Sequence, residues 1–540
     1  QATYLNDGTL QSSNIVNKFE YDARGNRTKL IEAFGLSEQR TTSYVYDKNN
    51  RLIQENRPDS ISVSYQYDAK GNVNAVTDAA GKKFYSYYDA LDRVILSVDA
   101  KGYVTKTEYD DKGQVEKVIR YAQAVNMSGI NENNPPSING LALPAQDYVT
   151  SYVYDDLGRV TEEKMLDGTA GANGSSTVYN YDITGNLILV TDPNGNKTFS
   201  YYDGLGRVIL SVDGAGYVTK TDYNAFGEVA SITRYANAIG GVPVTSAAPT
   251  IGAANTDIVT DSANDAVTLF EYDRRGLVTK TTDAHSNFET FAYDAAGNRT
   301  KAVNKLGHET LYIYDNSGLM TSETKLLKLH DSNGAAVPVT TGYKYDALGN
   351  RVEMIEAKGR TEERITHYFY DKNNRLVETR GEARTILDQT NHLTETTGYQ
   401  PGEFIDYDRR GNIIRTEDAG GAETFFYYDA VGRKTVEINS FGSFTTYSYD
   451  FNGNILTTKV YGNVGSVSGY SGGDEANILN LLPATGELRE TRFAYDALGR
   501  MTESRVKNVE TGSWAGSSYV TGQGDLVTQY QYDKMAMWSK

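Results

Sequence analysis

The chain has 540 residues, no cysteine, 53 Lys and Arg against 70 Asp and Glu, and a formal net charge of −17. The lack of cysteine excludes a disulfide framework, thiolate metal ligands and a cysteine nucleophile. Scattered, outnumbered basic residues argue against nucleic acid and anionic membrane as partners, since a duplex-binding surface needs clustered cations; no stretch reaches the roughly 20 apolar residues of a membrane span. With 42 Tyr against 16 Phe, 51 Gly and only 10 Pro, the composition favours strands and turns over helices. The first residues hold neither the basic region nor the apolar stretch of a secretory signal. Starting on Gln1, the chain reads as a fragment or processed product.

In chain order, the first predicted hairpin turns at Tyr21, Asp22 and Gly25. The phrase Tyr-Asp-x-x-Gly returns at Tyr67, Asp68 and Gly71, and the dipeptide alone at Tyr88 and Asp89. It continues at Tyr202 and Asp203, at Tyr293, Asp294 and Gly297, at Tyr314, Asp315 and Gly318, at Tyr428, Asp429 and Gly432, and at Tyr449, Asp450 and Gly453. Tyr-Asp occurs 18 times, with Tyr223-Asn224 as a nineteenth copy, and nine of the 18 steps are 21 residues. Halfway through a unit a second block appears, such as DAAG at 78–81 or DPNG at 192–195. Asp at the first turn position accepts backbone hydrogens, and Gly at the fourth takes the left-handed conformation of a G1 bulge. Each unit is therefore predicted to be one antiparallel hairpin.

The strands alternate with period two. The residue two before the motif Tyr is aromatic in most units, for example Tyr44, Tyr65, Phe291 and Phe426, and shares its face. The returning strands place aliphatics such as Val73, Val94, Val208 and Val278 at a fixed position, and aromatic–aliphatic cross-strand pairs contribute about 0.2–1 kcal/mol each. A lone hairpin is marginal in water, whereas stacked copies cover one another's edges. Residues 87–125 echo 201–239 at an offset of 114. Loop insertions are predicted near 122–147, 236–266, 385–403 and 462–490, as excursions from one continuous array over 1–540. Nineteen hairpins give 38 strands and ~180 Å of sheet at ~4.8 Å per strand; rolled into one ring this would be an open hoop about 60 Å across, so the chain is expected to form part of a shell or a shorter superhelix with a groove.

The pattern Tyr-x-Tyr-Asp-x-x-Gly-Asn/Arg, seen in YSYDFNGNIL at 447–456 and FAYDALGRM at 493–501, resembles the YD or Rhs repeat. Such repeats occur in bacterial Rhs polymorphic toxins, the B and C components of insecticidal Tc toxins, wall-associated bacterial proteins and teneurins. The resemblance implies an all-β ribbon of tandem hairpins spiralling into a hollow shell or superhelix. It also implies a secreted or injected bacterial protein whose partner is an enclosed or fused polypeptide, such as a toxin cargo, or other segments of the parent protein. No DPxGL-like motif is present, so the resemblance extends to the wall and not to self-cleavage.

No chemistry competes well with this scaffold reading. The motif aspartates, for instance Asp22, Asp47 and Asp294, each have a turn to hold. The Asp-Gly blocks lack the ligand spacing of an EF-hand. His285, His308, His330, His367 and His392 lie 22–37 residues apart with no His-x-x-x-His pair. The sequence therefore predicts no catalytic residue, no metal and no cofactor. The tyrosine rows read as packing; the alternative is stacking on sugar rings, which would make the chain a cell-surface adhesin that binds glycans. A polysaccharide-processing enzyme is the third reading.

Overall fold

The structure is a computed structural model. It describes residues 3–4, 10–11, 15–141, 147–167, 175–239, 249–252, 257–327, 337–387, 395–450, 452–463, 469–478, 487–495, 501–515, 518–532 and 538–539. The described chain has no α-helix, only a single 3-10 turn at Glu475–Asn477. Its main sheet holds 38 strands in almost purely antiparallel array. Pairing passes along the chain from Lys18–Tyr21 to Ser518–Gln529, skipping the short strands of the insertions, and never joins the first strand to the last. The sheet is thus an open ribbon, not a closed barrel.

One hairpin explains the rest. Ile61–Tyr67 pairs with Val73–Thr77: Tyr67 faces Val73, but Gln66 faces Ala75, so Asn74 is an extra residue. The same one-residue shift recurs beside Tyr88, Tyr109, Tyr202, Tyr293 and Tyr449. At the opposite end of the ribbon the pairing is regular, as in Thr77 with Lys83. The regular hairpins are therefore bulged at their Tyr-Asp end, with a second shift at Ser443/Phe444 in the hairpin of Tyr449, and such bulges raise local twist.

That asymmetry coils the ribbon tightly. Asn373 Nδ2 donates to Asp59 Oδ2 at 2.7 Å across 314 residues. Lys101 Nζ lies 3.2 Å from Asp429 Oδ2 across 328, and Arg410 Nε lies 2.6 Å from Asp78. The Asp-x-x-Gly rim of the early units thus meets the Tyr-Asp rim of the late ones. About 23 ribbon strands separate the turns at Asp78 and Asp408, so one circuit takes ~110 Å of sheet and is ~35 Å across. The spiral is tighter than a single ring of ~60 Å: it completes a turn and overlaps itself.

The insertions are also more than loops. The described residues of three of them fold onto one sheet face, opposite the motif tyrosines, and create the apolar cores. Ile130, Ile138 and Leu141 pack on Tyr85, Tyr87, Leu96, Val98 and Val104. Ile251 and Ile258 pack on Tyr201, Leu210, Val212 and Val218. Tyr470 and Ile478 pack on Phe425, Tyr427, Val436 and Ile438. In the 385–403 insertion Arg384–Leu387 pairs with Glu395–Tyr399 as a separate hairpin.

Candidate functional site

In a scaffold the working groups are those that hold repeat to repeat and circuit to circuit. Within each turn the Asp side chain is the organiser. Asp182 Oδ1 accepts from the N–H groups of Thr184 and Asn186, at 2.9 and 2.8 Å, and Oδ2 accepts from Asn186 Nδ2 at 2.9 Å. Partial burial opposes its ionisation, but the hydrogen bonds from Asn186 and Thr184 prevail and hold its pKa at about 2. Asp22, Asp68, Asp89, Asp203 and Asp294 share this arrangement and are also shifted down. The residue three after the Asp has positive φ: +85° at Gly25, +108° at Gly71, +92° at Gly297, +79° at Gly318, +89° at Gly432 and +95° at Gly453. Asn50, Asp92 and Asn374 adopt the same conformation at φ 62°, 63° and 60°, which Asn and Asp tolerate better than most residues.

The motif Tyr works between units. Tyr67 donates its hydroxyl to the Leu52 carbonyl at 2.7 Å, Tyr88 to Val73 at 2.7 Å, Tyr202 to Leu187 at 2.8 Å, Tyr293 to Val278 at 2.8 Å and Tyr428 to Ile413 at 2.6 Å. The acceptor is always the fifth residue after the preceding motif Asp or Asn, beside the bulge, where ladder pairing is interrupted. The Tyr therefore satisfies a carbonyl of the previous hairpin. Tyr21, on the first strand of the ribbon, is 61% exposed. Tyr314 stands at the equivalent register, opposite Met320.

An Arg four residues after the Asp adds a second staple. Arg51 Nε donates to Asp47 at 2.7 Å, its guanidinium lies 4.6 Å from the centre of the Tyr67 ring, and Nη1 reaches the Asp68 carbonyl at 3.2 Å. Arg93, Arg159, Arg207, Arg375 and Arg433 cover Tyr109, Tyr181, Tyr223, Tyr407 and Tyr449 at 4.3–5.0 Å. Cation–π contacts of this kind contribute about 0.5–1 kcal/mol when exposed and more when desolvated. Where Asn replaces Arg it can link neighbouring turns instead, as Asn72 Nδ2 does to Asp92 at 2.9 Å.

Between circuits the ion pairs sit in a partly desolvated seam. Asp429 has a fully buried side chain, paired with Arg433 and Lys101. Burial works against its charge, yet the backbone and guanidinium of Arg433, with Lys101 beside it, keep its pKa below the usual value. Asp99 is shifted the other way, because burial outweighs the N–H groups of Tyr103 and Lys101. The fourth insertion clasps this seam. Gly473–Asp474 pairs in parallel with Tyr427–Tyr428, and Lys82 Nζ lies 2.7 Å from Asp474. Gly472 presses so closely that a Cβ there would be 2.1 Å from the Ile414 carbonyl oxygen.

The candidate residues of the sequence therefore line one rim in series and are not gathered into a pocket. Three features were missed. The Arg staples were signalled by Arg at a fixed distance from Asp. The third covered patch was signalled by Tyr-Tyr-Asp at 427–429, which matches 87–89 and 201–203; the first Tyr of each triplet is buried under an insertion. The seam has no local signal. Among the described residues no group of three His, Asp or Glu side chains is gathered as if for a metal ion. No helix among them is long and apolar enough to cross a membrane.

Comparison with known proteins gives the following. The RHS Repeat family model matches residues 40–83 and 272–309. No curated protein matches the chain. Among solved structures, the chain is similar to the crystal structure of TcdB2-TccC3, at 12% identity and TM-score 0.30, over 96% of this chain and 33% of that one. It is similar to the Photorhabdus luminescens Tc holotoxin pore, at 13% identity and TM-score 0.23, over 95% and 33%. It also matches a porin-like protein from Bacteroides uniformis, at 12% identity and TM-score 0.14, over 47% and 89%. The chain thus spans about a third of the two toxin chains. The same Tyr, Asp and Gly geometry runs through the matched stretches and on along the described ribbon, and the chain is an Rhs/YD-repeat protein.

Proposed function

We propose that the chain is one continuous wall segment of an Rhs-type shell, a single array over 1–540 that encloses or presents other polypeptide, such as a toxin, in a secreted or injected bacterial protein. The observation that carries this reading is the seam: Asn373 on Asp59, Arg410 on Asp78 and Lys101 on Asp429 bring successive circuits into edge contact. A ribbon whose edges seal on themselves separates an inside from an outside. In this reading the motif Tyr, Asp and Gly residues are mortar, and the wall itself catalyses nothing. Their carboxylates already accept two to four hydrogen bonds each, which leaves few lone pairs for a substrate.

Electron microscopy of the purified chain tests the proposal. The expected image is a tube with a low-density lumen about as wide as the circuit above. Flat or splayed ribbons would overturn it. Retention on a glycan array, lost when exposed tyrosines such as Tyr21 and Tyr217 become Ala, would replace it with the adhesin reading.

A further inference from the structure

Where Arg stands four residues after the motif Asp it pairs with that Asp, as Arg51, Arg207 and Arg375 do with Asp47, Asp203 and Asp371 at 2.6–2.7 Å. The units at 25–27, 297–299 and 349–351 read Gly-Asn-Arg instead. There the Asn takes the carboxylate: Asn298 Nδ2 donates to Asp294 Oδ2 at 2.9 Å, and Asn350 Nδ2 to Asp346 Oδ2 at 2.8 Å. The Arg, one residue on, starts the returning strand on the tyrosine face with no Asp of its own.

Aromatic rings of the two neighbouring strands flank each of these guanidinium groups. Arg299 lies 5.6 Å from the centre of Phe291 and 5.2 Å from that of Tyr312. Arg351 lies 5.7 Å from the centre of Tyr343 and 4.7 Å from that of Tyr368. Among the described residues neither has a carboxylate within ion-pair distance. Arg27 differs, because its Nη2 donates to the Tyr44 hydroxyl at 3.3 Å. Between Arg299 and Arg351 the same face carries Glu323 and Lys325, which lie 3.5 Å apart and cancel. The patch therefore keeps two positive charges, four strand steps or ~19 Å apart. Rings on either side restrict each guanidinium and leave its N–H edge as the group that can take a carboxylate in bidentate fashion.

We propose that this face binds an extended polypeptide segment bearing two carboxylate side chains about six residues apart, the spacing at which an extended chain covers ~20 Å, one on Arg299 and the other on Arg351. Charge complementarity selects the occupant, and two features select its class. Sugars and bases bind by stacking on ring faces, and here those faces are turned to the guanidinium groups. Nucleic acid carries closely spaced phosphates, which the net charge of −17 repels and which two cations so far apart do not match. The site depends on neither the seam nor a lumen, so it stands even if the chain is not a wall.

Fluorescence anisotropy of the full chain with labelled Gly-Ser peptides at low salt tests this. One peptide holds two Glu six residues apart, a second has Gln in their place, and a third has Lys. The wild type is expected to prefer the Glu peptide to the Gln peptide by about tenfold, as two charge-assisted contacts allow. Arg299→Gln with Arg351→Gln should erase that preference. Arg274→Gln with Lys112→Gln, which removes two exposed cations elsewhere on the ribbon, should keep it. Arg299→Glu with Arg351→Glu should reverse it in favour of the Lys peptide, a gain that only a folded face can show. A wild type without preference overturns the proposal, as does a preference that survives the Arg-to-Gln pair or a reversed variant that gains nothing. An acidic oligosaccharide that binds through the two arginines while the Glu peptide does not would replace the polypeptide with a glycan.

Discussion

The Tyr109 hydroxyl donates to the Val94 carbonyl at 2.9 Å, linking a hairpin to its predecessor through an acceptor beside a bulge. Tyr109→Phe removes the donor and keeps the ring under Arg93. The expected cost is about 1 kcal/mol, the usual net value of one such bond. It should appear as faster amide exchange over Val94–Val98 and Val104–Tyr109, with distant hairpins unchanged. Exchange equal to wild type would mean that the carbonyl has no need of the Tyr.

Acid should loosen the Asp182 turn late. Its folded pKa of about 2 lies below the ordinary 3.8, so the carboxylate favours the folded turn at every pH above the ordinary value. That contribution fades as pH falls from 3.8 towards 2. Following the Asp182 carboxyl and the Thr184 and Asn186 amides by NMR titration checks it. A midpoint at the ordinary carboxylate value would remove the turn-holding role.

Unit 224 is a natural substitution. Asn224 Oδ1 still accepts from Phe226 and Glu228, at 2.9 and 3.1 Å, while its Nδ2 donates to Glu228. The Asn is thus matched by Glu where other turns pair Asp with Arg. Asp203→Asn alone should keep the turn but lose its ion pair with Arg207. Asp203→Ala, which also loses the turn acceptors, should cost about 1 kcal/mol more, measured by local exchange at Leu205 and Arg207. Equal effects would mean that Oδ1 contributes nothing.

The absence of cysteine makes the seam easy to probe. Asp59→Cys combined with Asn373→Cys should form a disulfide on mild oxidation and close a loop of more than 300 residues that migrates faster on a denaturing gel. Asp59→Cys with Asn194→Cys, on turns that the structure does not bring together, is the control. A double variant that stays reduced would disprove edge contact.

Two glycines at equivalent turn positions should respond differently. A Cβ at Gly102 would lie 2.4 Å from the Val125 carbonyl oxygen, at φ +90°, whereas Gly81 faces open space at φ +78°. Gly81→Ala should cost about 1 kcal/mol from backbone conformation alone. Gly102→Ala should in addition lift the first insertion, which Val125 N–H anchors to the Gly102 carbonyl at 2.8 Å, and expose residues 126–141 to protease. Equal protease resistance in the two variants would refute the anchor.

What could be read from the sequence was what acts within a few residues. Asp182, Gly185 and Asn186 form their turn through local bonds, so the hairpin and its period were plain in the letters. The apolar half of each covered patch was visible as the echo of 87–125 in 201–239, but the third copy escaped because it keeps the Tyr-Tyr-Asp spacing and little else. Insertions such as 126–141 looked like loops because Pro and Asn dominate, while the few buried residues, Ile138 and Leu141, carry the packing. The meeting of Asp59 with Asn373 depends on twist summed over many bulges, a quantity no single unit states.

The direction of the tyrosine bonds has a consequence for biosynthesis. Each donor lies C-terminal to its acceptor, commonly by 15 residues. A polypeptide leaving the ribosome therefore exposes every carbonyl before the hydroxyl that will claim it. Each new hairpin can latch onto one already made, so the array can advance like a ratchet, and only the seam contacts, such as Asp59 with Asn373, wait for residues made much later.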